Sequence, residues 1–280
     1  MGDDGGLGGL PLSPSWGHCW GVMENVYRYV GLEASLYDRL DELADFEDVD
    51  FYRWFAEAGD GPMLDVGCGT GRVLAPLVAS GLEVEGVDVS PAMLAICREN
   101  LAKQGLEASL HEGDMRSFSV GEGRFGTVAI PGYSWQLLLQ DDDVVQCFER
   151  CRDHLRPGGQ LILPSYQPWD MIWEVENESP LEERKSIVDE ELGERLTAWQ
   201  GWKLDVRAQR IELRNVYERR TLDGALIERE DRTMQMRWDA PHDTLRLLGA
   251  LGFSDVSLYD GYTFDPPESD SETVVFVARR

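Results

Sequence analysis

Met63-Leu-Asp-Val-Gly-Cys-Gly-Thr-Gly71 is the stretch around which the rest of the chain is arranged. Leu64 and Val66 make a short apolar strand, and Pro62 marks its start. Three alternating glycines then stop it before a helix predicted to begin at Arg72. Gly67, Gly69 and Gly71 let the main chain turn sharply and approach a ligand with no Cβ in the way. A loop of this kind at the carboxyl end of a parallel strand is where doubly wound α/β sheets bind nucleotide-like ligands. Seventeen residues after Gly71, Val84-Glu-Gly-Val-Asp88 predicts a second strand ending in an acid. A carboxylate there can accept both hydroxyl hydrogens of a ribose.

The glycine spacing separates two cofactors. Dinucleotide binders read G-x-G-x-x-G, with a helix N-terminus aimed at a pyrophosphate. Here the pattern is D-V-G-C-G-T-G, and Asp65 would repel a pyrophosphate but suits a ligand carrying an ammonium group. S-adenosylmethionine is such a ligand, with an adenosine, a sulfonium and an amino-acid tail. The stretch resembles the first motif of the class I S-adenosylmethionine-dependent methyltransferases. The resemblance is strong over roughly residues 55–163 and weaker over 239–280. It implies a Rossmann-like α/β fold: a seven-stranded, mostly parallel sheet with an antiparallel β insertion forming a lid. It also implies a set of cofactor-binding residues. These are Tyr37 near the first helix; Asp65, Gly67, Cys68, Gly69 and Gly71 in the loop; Asp88 and Val89 at the ribose; Met93, Asp114 and Met115 around the adenine; and Pro131. Two other readings stand beside it. A non-catalytic protein binding S-adenosylmethionine or S-adenosylhomocysteine would hold the cofactor without turnover, and an NAD-dependent reductase is disfavoured by the glycine spacing.

Length and composition set the frame. A chain of 280 residues, 42% hydrophobic and 10% aromatic, is long enough for a full core, with the balance of a soluble globular protein. No apolar run approaches the ~20 residues needed to span a bilayer. Met1–Ser15 is Gly- and Asp-rich, without the basic and apolar regions of a signal peptide, so a flexible tail over 1–20 and a cytoplasmic protein are expected. The net charge of −26 argues against nucleic acid and anionic membranes as partners. The acids are spread along the whole chain, which suits adaptation to a salty cytoplasm better than steering of a cationic substrate. The cysteines Cys19, Cys68, Cys97, Cys147 and Cys151 lack C-x-x-C spacing and form no metal set, so they are expected to be reduced thiols. The expected assembly is a monomer or homodimer.

Outward from the loop, helical periodicity is plausible from Val22 to Leu43, preceded by Trp16 and Trp20 and carrying Tyr27, Tyr29 and Tyr37. These aromatics pack such a helix on the sheet, or make it a lid. Phe51–Ala58 reads as the helix feeding the first strand. Arg72–Ser80 is the first crossover helix, with Gly81 as its cap. Ser90-Pro91 gives an N-cap and first-turn proline for the next helix. Ala108–Met115 and Arg124–Ile130 are the third and fourth strands, the fourth apolar enough to be central. Asp141–Leu155 is a helix, and the turn at Arg156-Pro-Gly-Gly leads into a fifth strand ending at Leu163. The α/β core is therefore expected over 21–163 and 239–280, with an antiparallel insertion of about three strands over 164–238. In that insertion Ile211, Leu213, Met234, Met236 and Trp238 share faces, and Asp223-Gly224 makes a hairpin turn.

Methyl transfer from a sulfonium is an in-line displacement in which orientation can supply roughly 7–11 kcal/mol. A hydroxyl acceptor needs a base, whereas an amine need only be bound neutral. Of the four histidines, His111, His154 and His242 fall away from the rim, and only His18 could reach a substrate. By the same resemblance, Gln136 stands where enzymes of the family acting on small natural products often carry a histidine. Tyr133 and Gln136 are therefore the candidate catalytic, substrate-facing residues. Tyr133, Trp135, Tyr166, Trp169, Trp173 and Tyr217 are candidate pocket aromatics. The expected function is methyl transfer to a small molecule, with nitrogen favoured over oxygen.

Overall fold

The computed structural model describes residues 26–40, 46–173 and 177–280, so the expected 1–20 tail, with His18 and Cys19, lies outside the described residues. Strand β1 (Met63–Val66) has all four residues buried, as the pairing on both its edges requires. It pairs in parallel with β2 (Val84–Asp88) and with β4 (Phe125–Ala129). Outside these, β3 (Leu110–Glu112) adds to β2 and β5 (Leu155–Tyr166) to β4. The C-terminal hairpin of β10 (Ser254–Asp260) and β11 (Thr273–Arg279) closes the sheet antiparallel to β5. The order β10-β11-β5-β4-β1-β2-β3 makes β4 the middle strand of seven. It places the reversal of strand order between β1 and β4, where such sheets leave a crevice for a ligand.

Helices cover both faces. Helix α3 (Val49–Ala58), α4 (Leu74–Ala79) and α5 (Pro91–Lys103) bury Phe51, Phe55, Leu74, Leu77 and Leu94 against one side. Helix α6 (Asp141–His154) and α8 (Pro241–Ala250) bury Val144, Phe148, Cys151 and Leu248 against the other. Ser90 caps α5 by accepting the Met93 N–H, and Pro91 occupies its first turn, as the sequence predicts. Helix α4 starts at Leu74, two residues later than expected, because Gly71 turns at φ +89°. It ends in a left-handed Gly81 whose N–H bonds Val78 while Leu82 N–H reaches Leu77, the paired bonds of a Schellman cap.

Close packing fixes Gly126. A Cβ there would lie 2.8–3.2 Å from the main chain of Asp60, which has no side-chain freedom with which to give way. Overpacking of this kind costs about 1–3 kcal/mol. Gly126→Ala is expected to lower the thermal midpoint by about 3–10 °C, checked by a melt followed by circular dichroism.

The insertion contains four strands rather than three. Strands β6 (Glu182–Asp189), β7 (Glu194–Asp205), β8 (Arg210–Thr221) and β9 (Leu226–Arg237) form a separate antiparallel meander. The first hairpin escapes the alternation test because β6 opens Glu-Glu-Arg-Lys, the charged signature of an edge strand. Strand β5 continues to Tyr166, three residues past its expected end, and a short helix α7 (Trp169–Trp173) follows.

The single helix expected over 22–43 is replaced by an extended stretch over 26–30 and two short helices, α1 (Gly31–Ser35) and α2 (Tyr37–Leu40). Gly31 turns at φ +58°, and the Glu230 carboxylate of β9 accepts the Leu32 and Glu33 N–H groups. Leu32, Leu36 and Leu40 pack on Leu196, Ala198 and Tyr217, so the N-terminal segment is docked on the second sheet. Among the described residues no helix is long and apolar enough to cross a membrane.

Candidate active site

A cavity of about 1010 Å³ opens at the carboxyl ends of β1 and β2 and extends to the inner face of the second sheet. A single drug-sized ligand needs roughly 300–1,000 Å³, so a small second molecule fits beside a cofactor.

At its floor, Asp65 ends up 1% exposed in β1, with neither carboxylate oxygen hydrogen-bonded. Burial pushes this acid up to about 7, opposed by Arg72 and reinforced by Asp88 and Asp48. A buried carboxylate without a partner is costly, and an incoming ammonium would supply the missing donors. Gly67, Cys68 and Gly69 line the cavity next to it. Gly71 does not: a Cβ there would meet Cys97 Sγ at 2.8 Å, so this third glycine lets the loop sit against α5.

Asp88 closes the other side of the loop. Its carboxylate accepts the Gly69 N–H at 2.9 Å and the Ser90 N–H at 2.7 Å. Burial raises its pKa, while the backbone bonds from Ser90, Gly69 and Val89 pull the other way. Val89, Met93, Met115, Pro131 and Tyr37 also line the cavity. Asp114 does not face it. Burial pushes that acid up, but the Arg116 guanidinium holds both its oxygens and leaves it below the ordinary range. At this turn the cavity is lined by Gly113 and Met115 instead.

The N-terminal segment is tied down over this floor. Asp38 accepts from Thr70 Oγ1 and from Asn100 Nδ2, and Ser90 Oγ donates to the Tyr29 carbonyl. Both terminal guanidinium nitrogens of Arg72, a wall residue of the cavity, are held by Asp48, whose side chain is fully buried. The Tyr37-Asp38 pair matches a motif that the resemblance implies, whereas the Asp48–Arg72 pair is marked by none.

The loop after β4 separates the floor from the second sheet. Tyr133 occupies the left-handed region at φ +61°, a conformation bulky residues rarely hold, and it lines the cavity. Its hydroxyl hydrogen-bonds Thr273 Oγ1 at 2.6 Å, and burial raises its pKa. Gln136, expected to face a substrate, does not line the cavity. It is fully buried away from the cavity, donating to the Tyr166 and Arg237 carbonyls and accepting the Tyr166 N–H at 2.7 Å. Its amide is consumed in joining this loop to β5 and β9, so it faces no substrate.

Across from Tyr133, alternate residues of the second sheet form the far wall. Ile211 and Leu213 of β8 stand beside Met236 and Met234 of β9, on the common face that the alternation predicts. Of the expected aromatics, Tyr133, Tyr166, Trp173 and Tyr217 line the cavity. Trp135 does not, since its indole donates to the Pro164 carbonyl in the core, and Trp169 is also absent from the wall. Tyr27, Tyr29, Trp199 and Trp202 also line it, with Asp170, Glu178 and Glu182. His154 is buried, accepting the Val120 N–H, and His111 pairs with Glu85, so both are structural. The side chain of His242 is exposed beside Asp243.

Comparison with known proteins agrees with this geometry. Residues 63–159 match the family model described as a methyltransferase domain. The putative methyltransferase YqeM of Bacillus subtilis strain 168 is 26% identical over 251 residues, covering 88% of this chain and 95% of its own. The dTDP-3-amino-3,6-dideoxy-alpha-D-glucopyranose N,N-dimethyltransferase of Streptomyces fradiae is 38% identical over 118 residues, 42% of each chain. The structure of S-adenosylmethionine-bound CalS10, an amino pentose methyltransferase from Micromonospora echinaspora, superposes with a TM-score of 0.64. It is 24% identical and covers 92% of this chain and 99% of that one. With a methyltransferase domain over residues 63–159 and this sheet order, the chain is an S-adenosylmethionine-dependent methyltransferase with a Rossmann-like α/β fold and a β insertion after its fifth strand.

Proposed function

We propose that this methyltransferase acts on the amine nitrogen of a small molecule bound between the Tyr133 loop and the inner face of the second sheet. The observation that carries this is the single cavity reaching from Asp65 and Asp88 to Met234 and Met236, walled by aromatics. In this reading Asp65 holds the amino group of the cofactor and Asp88 its ribose. Gly67 and Gly69 clear the approach, and Met93 and Met115 flank the adenine. Bound S-adenosylmethionine supplies a methyl on a positively charged sulfur, which becomes a neutral thioether as the new N–C bond forms.

The chain's part is orientation. Tyr133, fixed by Thr273, and the apolar residues of β8 and β9 hold the acceptor in line and exclude water, which accounts for most of the barrier reduction in such a transfer. Nitrogen is favoured over oxygen because the cavity walls offer no strong base. No histidine or lysine lines the cavity among the described residues, and burial raises the pKa of both Tyr133 and Tyr166. Asp65 and Asp88 sit at the cofactor end. The nitrogen attacks as the neutral amine through its lone pair, the C–S bond breaks as the N–C bond forms, and the resulting ammonium passes its extra proton to solvent beside the wall carboxylates Asp170, Glu178 and Glu182. The Streptomyces fradiae relative, named for N,N-dimethylation of a dTDP-linked amino sugar, supports the preference for nitrogen.

The test is calorimetric titration with S-adenosylmethionine and with NAD, on wild type and on Asp88→Ala. Micromolar binding of S-adenosylmethionine is expected, weakened about tenfold to a hundredfold in the variant by loss of paired hydrogen bonds to the ribose. NAD should not bind. An acceptor screen with small amines and their alcohol counterparts then checks the nitrogen preference, and transfer to the alcohols alone would overturn it.

A further inference from the structure

We infer that the acceptor enters as a free organic cation, a protonated amine with an aromatic or apolar body that gives one N–H proton to water before its lone pair attacks the methyl, and not as a nucleoside-diphosphate conjugate. This deepens the proposed small-molecule reading and rests on it. That the cavity is built for cationic ligands is already visible at its floor, where the unpartnered, fully buried Asp65 carboxylate faces it. The far end repeats that bias with different residues.

Three acids, Asp170, Glu178 and Glu182, line the cavity on α7, the segment before β6, and β6 itself. Arginines on the wall are Arg72 and Arg184, and Arg72 already has both terminal nitrogens on Asp48. Away from the cofactor end, the described lining therefore carries three acids and one arginine, Arg184. A diphosphate needs bidentate guanidinium forks or a ring of free main-chain N–H groups. Here the Gly69 and Ser90 N–H groups at the loop are committed to Asp88. A polyanion would also approach a protein of net charge −26 against its field, which slows encounter rather than aiding it.

The walls supply what an organic cation wants. Trp173 is exposed at 67% and lines the cavity beside Asp170 on the same short helix. Tyr166 donates its hydroxyl to Asp170 at 3.0 Å, and its ring lies 5.7 Å from that of Tyr133. Ring faces next to carboxylates are the combination that holds an ammonium through cation–π and ionic contacts together. The apolar residues of β8 and β9 then take the body of the molecule.

The experiment uses the full chain saturated with S-adenosylhomocysteine and titrated with three probes: 2-phenylethylamine, its alcohol counterpart 2-phenylethanol, and thymidine 5′-diphosphate. The amine is expected to bind at least about tenfold tighter than the alcohol, with no detectable binding of the diphosphate at ~1 mM. The double variant Asp170→Asn/Glu182→Gln should erase most of the amine's advantage and leave S-adenosylhomocysteine affinity unchanged. Diphosphate binding as tight as the amine's, or an amine no better than its alcohol, would overturn the inference while leaving the methyltransferase reading in place. Failure to bind S-adenosylhomocysteine at all would instead strike the cofactor assignment beneath it. The two failures are therefore distinguishable.

Discussion

Asp65→Asn is expected to weaken S-adenosylmethionine binding by more than about a hundredfold while making the unliganded protein more stable. Both effects follow from one carboxylate buried in β1 with no donor to either oxygen. Removing one member of a buried ion pair costs about 3–5 kcal/mol, because the other charge stays behind unpaired. In the complex that stranded charge would be the ammonium of the cofactor. Without cofactor the balance reverses. The folded chain holds Asp65 at about 7 against an ordinary 3.8, because burial disfavours the anion. Between those values the folded state carries a proton that the unfolded chain has released, so stability falls as pH rises through that window. Above pH 7 the full cost of roughly 4 kcal/mol is present. Asparagine removes the charge but leaves a buried amide, so a net gain of about 1–3 kcal/mol is expected at pH 8, or roughly 2–10 °C in the midpoint.

The same carboxylate predicts a pH dependence of binding. The ammonium needs the anion, so wild-type affinity should fall about tenfold between pH 8 and pH 6, with proton release visible as a buffer-dependent heat. Titrations at the two pH values in two buffers check this. A flat profile in wild type, or an Asp65→Asn protein that binds normally, would remove Asp65 from the cofactor site.

Asp48→Ala is expected to destabilise the fold by about 3–5 kcal/mol, the penalty for leaving a largely buried arginine without its partner. Asp48 is fully buried just before α3, both its oxygens bond Arg72, and the Arg72 guanidinium also lies over the Phe46 ring at 5.7 Å. The freed cation would face the cavity beside Asp65, so affinity for a cationic cofactor should drop as well. Urea unfolding of wild type, Asp48→Ala and the double variant Asp48→Ala/Arg72→Met separates the causes. The double variant should recover much of the loss, since replacing both members of a buried pair by apolar groups is far milder than stranding one. A single variant within about 1 kcal/mol of wild type would show that Arg72 finds water instead.

The two acids show how unevenly a sequence discloses its site. That Asp65 and Asp88 line the cavity is legible because the glycine loop and the second strand fix their neighbours within a short stretch of chain. Asp48 carries no such mark. Its partner lies twenty-four residues on, and only the packing of α3 beside the loop brings the two together. Gln136 fails in the opposite sense: its position after the fourth strand suggested a catalytic role, yet β5 and β9 consume its amide. Asp114 likewise looked free until Arg116, two residues away, closed over it.

By itself the sequence determined the parallel core, because apolar runs of strand length, glycine turns and helix caps are local signals with a fixed period. It also determined the identity of the loop and the two acids that flank it, and the shared face of Ile211, Leu213, Met234 and Met236. Only the tertiary structure decided the number of strands in the insertion, since the charged edge strand β6 has no apolar alternation to read. It alone broke the expected N-terminal helix, at a Gly31 stabilised by Glu230 from a strand about two hundred residues away. And it alone assembled the acids and aromatics of the cavity mouth, because contacts between segments remote in sequence follow from packing and leave no periodic trace in the chain.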